Sequence, residues 1–286
     1  MECLRRLILG AMKRLEALQQ LAAEAQRGEL VFPTSVAAAS RIHKALDDPD
    51  IHLAAAAVQV QTEPLLAARC VAMANSAAYR RSGPVVTDVG SAVSRLGLRI
   101  VRTLAQALIV RQLAGASKDP GQRSVVAHLW EHTAHVASLS RLIAKCVAHQ
   151  DPETALFAGL VHEAGNFYLL SRVPDFPVLL NTDREPEEED YEIALNRAVV
   201  ETLSLPAPII EALEIVWTGY VASPTVSLGD TVALAKALAP VQSPFASAQV
   251  STKLVPFDMI IGEDTLSQIL QDSKEEINSL TRALTY

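Results

Sequence analysis

Apolar positions recur at helical spacing along almost the whole chain, and strand-like alternation is nearly absent. Leu4, Ile8, Ala11, Leu15, Leu18 and Ala22 are spaced 4-3-4-3-4, which predicts an amphipathic N-terminal helix with heptad character. Such a stripe either lies on its own domain or pairs with a second copy through residues 4–22. Helices follow over 34–46, 51–60 and 63–74, the last with Thr62 as N-cap and Pro64 in the first turn. Asp88 caps a helix running to about 96, Gly97 interrupts it, and another fills 98–113.

The segment GASKDPGQR, residues 115–123, combines glycine, proline, serine and charge and marks a boundary between two helical halves. The chain therefore divides into an N-terminal helix, 1–27, an N-terminal lobe, 28–118, and a C-terminal bundle, 119–286. Helices are expected in the second half over 124–148, 152–171, 190–203, 206–218, 228–239 and about 263–283. The acidic insert NTDREPEEEDYE, 181–192, reads as a solvated loop running into a helix start, where the helix dipole favours carboxylates. The fold class is all-α with two helical lobes.

Composition narrows the function. Half of the 286 residues are hydrophobic and 20% are charged, as in a globular protein with a sizeable core. A net charge of −7 opposes a large nucleic-acid footprint. Cys3, Cys70 and Cys146 are far apart and form no CxxC, which suits reduced thiols in the cytoplasm. The N-terminus lacks the features of a secretory signal, and no uncharged apolar run is long enough to span a membrane.

Chemistry concentrates on two helices of the second half. Leu129, His132, Val136, Leu139 and Ile143 form a 3-4-3-4 stripe, so His132 takes a core-facing position. His128 lies near the helix start and His135 shares a polar face with Glu131, Ser138 and Arg141, so neither is expected to be a ligand. The second helix carries GLVHEAGNF, with His162 and Glu163 adjacent. Gly159 and Gly165 share the His162 face and permit close approach of a neighbouring helix. A buried histidine there needs a hydrogen-bond partner or a ligand. Two imidazoles and a carboxylate make half of a site for Zn, Mn or Fe.

In order along the chain, FPTS, QTEPLLAARCVAMANSAAY, VGSAVSRLGLRIVRTLA, LWEHTAHVA, ALFAGLVHEAGNFYLL and LSLPAPIIEALEIVW resemble the HDOD domain, the HD-related output domain of bacterial signalling proteins. The resemblance covers about residues 28 to 240, with Glu63 where the family has Asp. It implies a helical N-terminal lobe and a C-terminal bundle like that of HD phosphohydrolases. It also implies a regulatory or scaffolding role, often beside a receiver domain or a cyclic-dinucleotide enzyme, with hydrolase activity lost. An HD hydrolase has a late Asp as a further ligand. The matching segment here, DTVALAKALA, has Lys236 as its polar position.

A protonated ammonium cannot bind a metal. Lys236 either faces Glu163 in place of the cation or extends its head to water. Additional histidines of catalytic bundles fall near Tyr191 and at Val216 and Trp217, which supply no ligand. His132, His162, Glu163 and Lys236 are thus expected to mark a vestigial site without metal or cofactor.

Arg95, Arg99 and Arg102, spaced i, i+4 and i+7, with Arg80 and Arg81 before them, form either a solvated face or a contact for an anion or a partner. The expectation is a non-catalytic signal-transduction module, the output part of a response-regulator-type protein, acting on a signalling partner. The alternative is a metal-dependent HD-type phosphohydrolase or cyclic-dinucleotide phosphodiesterase using His132, His162 and Glu163.

Overall fold

The computed structural model describes residues 13–246 and 268–285, apart from 33, 81–82, 116, 182–184, 204, 220–226 and 269. Among the described residues there are thirteen helices and no strand. They are α1 (Arg14–Gln26), α2 (Thr34–Leu46), α3 (Leu53–Gln61), α4 (Pro64–Asn75), α5 (Ala77–Arg80), α6 (Val89–Gln112) and α7 (Pro120–Ile143). After these come α8 (Pro152–Val161), α9 (Ala164–Arg172), α10 (Glu189–Thr202), α11 (Ala207–Thr218), α12 (Leu228–Leu238) and α13 (Lys274–Thr285). No helix among the described residues is long and apolar enough to cross a membrane.

The sequence signals that start and stop these helices act largely as expected. Asp88 and Asp119 cap α6 and α7 by accepting from Ser91 N (2.8 Å) and Gln122 N (2.7 Å). Gly97 sits inside α6 at φ 76° and divides it into two segments, a conformation that glycine adopts without steric cost. Thr62, expected to cap α4, instead closes α3 by donating to Gln59 O at 2.7 Å. Glu63 is the residue that caps α4, accepting from Leu65 N at 3.3 Å. In the ANS segment, Asn75 clamps Val86 through both its amide groups, at 2.7 and 2.8 Å, and so fixes the loop before α6.

One continuous core runs through both halves. The long helix α6 packs against α2, α3 and α4 on one side and α8 and α9 on the other. In the second half, α7 is the centre, flanked by α8, α12 and α13. Polar ties cross the lobe boundary as well. Arg99 on α6 forms a bidentate pair with Asp151 (2.6 and 2.9 Å), the N-cap of α8. Tyr79 donates to Glu153, which also pairs with Arg141 at 3.2 Å. The last helix, α13, rests on α7 and on α4 and α5 together, and Ser279 Oγ accepts from Ala77 N at 2.9 Å.

The N-terminal stripe differs in phase from its prediction. Arg14, Ala17, Leu18, Leu21 and Ala22 are buried, whereas Leu15 is only partly so. They lie mainly against α10 of the same chain. Leu4, Ile8 and Ala11 fall outside the described residues. The buried Arg14 guanidinium pairs with Glu188 and with Glu192, the latter at 2.6 Å. The acidic insert is therefore not uniformly solvated: Glu188 is 2% exposed because it neutralises a buried cation.

Candidate functional site

Periodicity predicts one helix over 152–171, but the chain breaks at its centre. His162 terminates α8, and Glu163, at φ −101° and ψ 16°, precedes α9. Both side chains are buried. The two glycines explain how the break is accommodated. A Cβ on Gly159 would lie 2.6 Å from Ala137 Cα, so α8 meets the α7 backbone directly. A Cβ on Gly165 would lie 1.4 Å from Asn196 Oδ1 and 3.2 Å from Asn196 Cα, so α9 also packs closely on α10, mainly through that side chain. His162 is thereby brought to His132 on α7, their Nε2 atoms 3.3 Å apart.

Hydrogen bonds fix both rings. His132 Nδ1 donates to Val241 O at 2.7 Å, and His162 Nδ1 donates to Gly159 O at 2.7 Å. A carbonyl only accepts, so the proton of each neutral ring is assigned to Nδ1, and Nε2 presents a lone pair. Glu163 Oε1 joins them, 3.6 Å from His132 Nε2 and 3.4 Å from His162 Nε2. Its other oxygen is held by the Asn166 amide. Three acceptors thus converge, and a hydrogen-bond donor or a positive charge beside them is favourable.

Lys236 brings it. Its Nζ is 3.5 Å from Glu163 Oε1, with the lysine side chain 39% exposed and Glu163 only 2% exposed. The two sequence readings of this lysine therefore combine: the head reaches the site from its open side. Burial pushes the Glu163 carboxyl upward, but Lys236, His162 and His132 outweigh it and hold the group well below the usual carboxylate range. Burial lowers His132 to about 4, against the opposing pull of Glu163, so that ring is neutral at neutral pH.

The donor atoms of His132, His162 and Glu163 lie within 4.8 Å of one another, and that half of the set suits a divalent cation. The remainder does not. Among the described residues no further acidic or imidazole ligand joins the group. The same carboxylate oxygen that would serve as a ligand already has the Lys236 ammonium 3.5 Å away, and two cations beside one carboxylate repel each other. Asp230, the acid of the matching segment, is at the other end of α12, where it forms a capping box with Ser227. Among the described residues the ligand set stops at His132, His162 and Glu163, with a lysine beside its one carboxylate.

The other candidates lie elsewhere. His128 is exposed and His135 is half-buried on the outer side of α7. Tyr191 Oη accepts from Gln19 of α1 at 3.3 Å. Arg95, Arg99 and Arg102 do not gather at a common anion. Arg95 donates to Ala74 O and Pro84 O, Arg99 holds Asp151, and Arg102 donates to Leu46 O at 2.6 Å. Arg81 is outside the described residues. Sequence reasoning missed Asn166 and the two carbonyls that set the histidine tautomers. Backbone acceptors leave no trace in a sequence.

Residues 32–205 match the HDOD domain, and the chain belongs to the HDOD domain family. Solved structures share the fold. A Shewanella amazonensis SB2B protein provisionally named a metal-dependent phosphohydrolase superposes with a TM-score of 0.65 at 20% identity, covering 94% of this chain and 98% of its own. An HDOD domain protein of unknown function from Geobacter sulfurreducens gives 0.61 at 20% identity, covering 94% and 97%. A Marinobacter aquaeolei VT8 protein provisionally named a signal transduction protein gives 0.60 at 20% identity, covering 96% and 67%. No curated protein matches the chain.

Proposed function

We propose that this protein is a non-hydrolytic regulatory module, the output part of a response-regulator-type protein, which acts by binding a signalling partner. A receiver domain or a cyclic-dinucleotide enzyme is the partner class that accompanies such modules. The observation that carries the reading is the Lys236 ammonium 3.5 Å from Glu163, where a hydrolase would hold its cation. An internal ammonium offsets the charge of the carboxylate without offering an activated water, which metal-assisted hydrolysis requires.

A second reading, a phosphohydrolase or cyclic-dinucleotide phosphodiesterase, draws on the convergence of His132, His162 and Glu163. Metal analysis separates the two. Protein purified without added metal should carry no stoichiometric Mn, Fe or Zn and should not hydrolyse phosphodiesters. One bound equivalent, with turnover lost in His162→Ala, would establish the enzyme instead. Lys236→Asp restores an acidic ligand, so Mn or Zn should raise the Tm of that variant and leave the parent unchanged.

A further inference from the structure

Among the described residues four arginines are buried: Arg14, Arg69, Arg141 and Arg172. Three of them face carboxylates. Arg14 pairs with Glu188 and Glu192, Arg141 with Glu153 and Glu276, and Arg172 with Glu24 and Asp175. Arg69, on α4, is the exception. It is 3% exposed, and its Nε and both Nη atoms are buried without a hydrogen-bond partner. Its guanidinium lies 5.2 Å from the centre of the Trp130 ring. Arg111, at the end of α6, lies 5.4 Å from the same ring. Among the described residues no carboxylate pairs with either arginine.

A buried charge with every donor unmet is unfavourable, and a second cation beside it makes matters worse. Stacking on the indole offsets part of this but satisfies no N–H group. Burial, together with Arg111, lowers Arg69 to about 9, which still leaves it charged at neutral pH.

We propose that Arg69 and Arg111, gathered on Trp130, form a binding site for a small phosphate-type oxyanion. Two guanidinium forks offer bidentate donors, and a tetrahedral oxyanion has acceptors enough for both. Arg111 is only half-buried, so the anion reaches Arg69 from the solvent side along it. The site lies where the lobes join. Arg69 is on α4, Arg111 on α6 and Trp130 on α7, and the Trp130 indole donates to Leu284 O of α13 at 2.9 Å. An occupant would draw these four helices together, so its arrival would be felt in how the lobes pack. This inference does not depend on whether the His132–His162 site hydrolyses anything.

The test is titration of the full chain with inorganic phosphate at constant ionic strength against chloride. Tm is followed, together with Trp130 fluorescence in a Trp217→Phe background. A saturable change in both is expected, with apparent affinity weakened about tenfold or more in Arg69→Met and in Arg111→Gln, the factor for losing one charge-assisted contact. Adenosine monophosphate in a parallel arm distinguishes an esterified phosphate, which would then bind more tightly, from the free ion. No saturable response in the parent overturns the proposal. So does an equal response in the variants, which would mean an adventitious ion only. If Arg69→Met does not fold, the half-buried Arg111→Gln decides: a retained response refutes the site and a lost one supports it.

Discussion

Lys236 and Glu163 share one buried carboxylate oxygen across 3.5 Å, a partly exposed cation against an enclosed anion. Lys236→Met leaves that anion with the Asn166 amide and two histidines as its close neighbours. Breaking a fully buried pair costs about 3–5 kcal/mol, and the 39% exposure of the lysine reduces this through solvent screening. A loss of about 2 kcal/mol is expected in urea unfolding. An unchanged midpoint would mean that water, not Glu163, is the main partner of the ammonium.

Acid should destabilise the protein in two stages. His132 falls from an ordinary 6.5 to about 4 in the folded state, so between those values the unfolded chain binds more protons. Stability therefore declines as pH falls through that window, by about 3 kcal/mol for a shift of this size. Glu163 is held below its ordinary 4.5, so its contribution is present above that pH and is lost below it. His43 and His135, also lowered by burial, add to the upper stage. The comparison with His132→Gln isolates one ring: its stability curve should be flatter between pH 6.5 and 4.5. Parallel curves would show that His132 does not resist protonation.

The two glycines beside the site should respond differently to alanine. At Gly159 the added Cβ meets the Ala137 backbone at 2.6 Å, and trimming a side chain cannot relieve that contact. Gly159→Ala should cost about 3 kcal/mol. At Gly165 the obstacle is chiefly the end of Asn196. Gly165→Ala should cost about 1–3 kcal/mol, and Asn196→Ala in the same chain should recover most of it. Thermal unfolding of the two single variants and the double variant decides. A double variant no more stable than Gly165→Ala would show that Asn196 is not the obstacle.

Arg14 anchors α1 by a buried pair with Glu188. Arg14→Met strands that carboxylate and should cost about 3–5 kcal/mol, whereas replacing Arg14 and Glu188 together by methionine should recover most of the loss, since Glu192, the other partner, is less deeply buried. Denaturant midpoints of the single and double variants check this. If the double variant is no more stable than the single, the stranded charge is not the source of the loss.

The helical class and the pairing of His132 with His162 and Glu163 were legible because they rest on periodicity, on small residues and on a family pattern. Asp88 and Gly97 could be read because a cap and a positive φ each demand a residue type. The break at His162 was not, since the apolar spacing of Ala155 through Leu169 runs straight through it and only tertiary contact interrupts the helix. The partner of Arg14 lies 174 residues away, and no local pattern distinguishes Glu188 from its solvated neighbours. Arg95, Arg99 and Arg102 looked like one patch because helical spacing gives direction, not partners.

Helix α13 rests on α4 and α5 as well as on α7, and Ala77 meets Ser279 across 202 residues of chain. During synthesis the first lobe therefore emerges from the ribosome long before the helix that covers it. Its α4 and α5 surfaces must wait with apolar residues uncovered until residues 274–285 arrive. Contacts so distant along a chain form late and slowly. A nascent chain stalled before residue 274 would expose the surface that chaperones recognise, and release of the last helix would end that exposure.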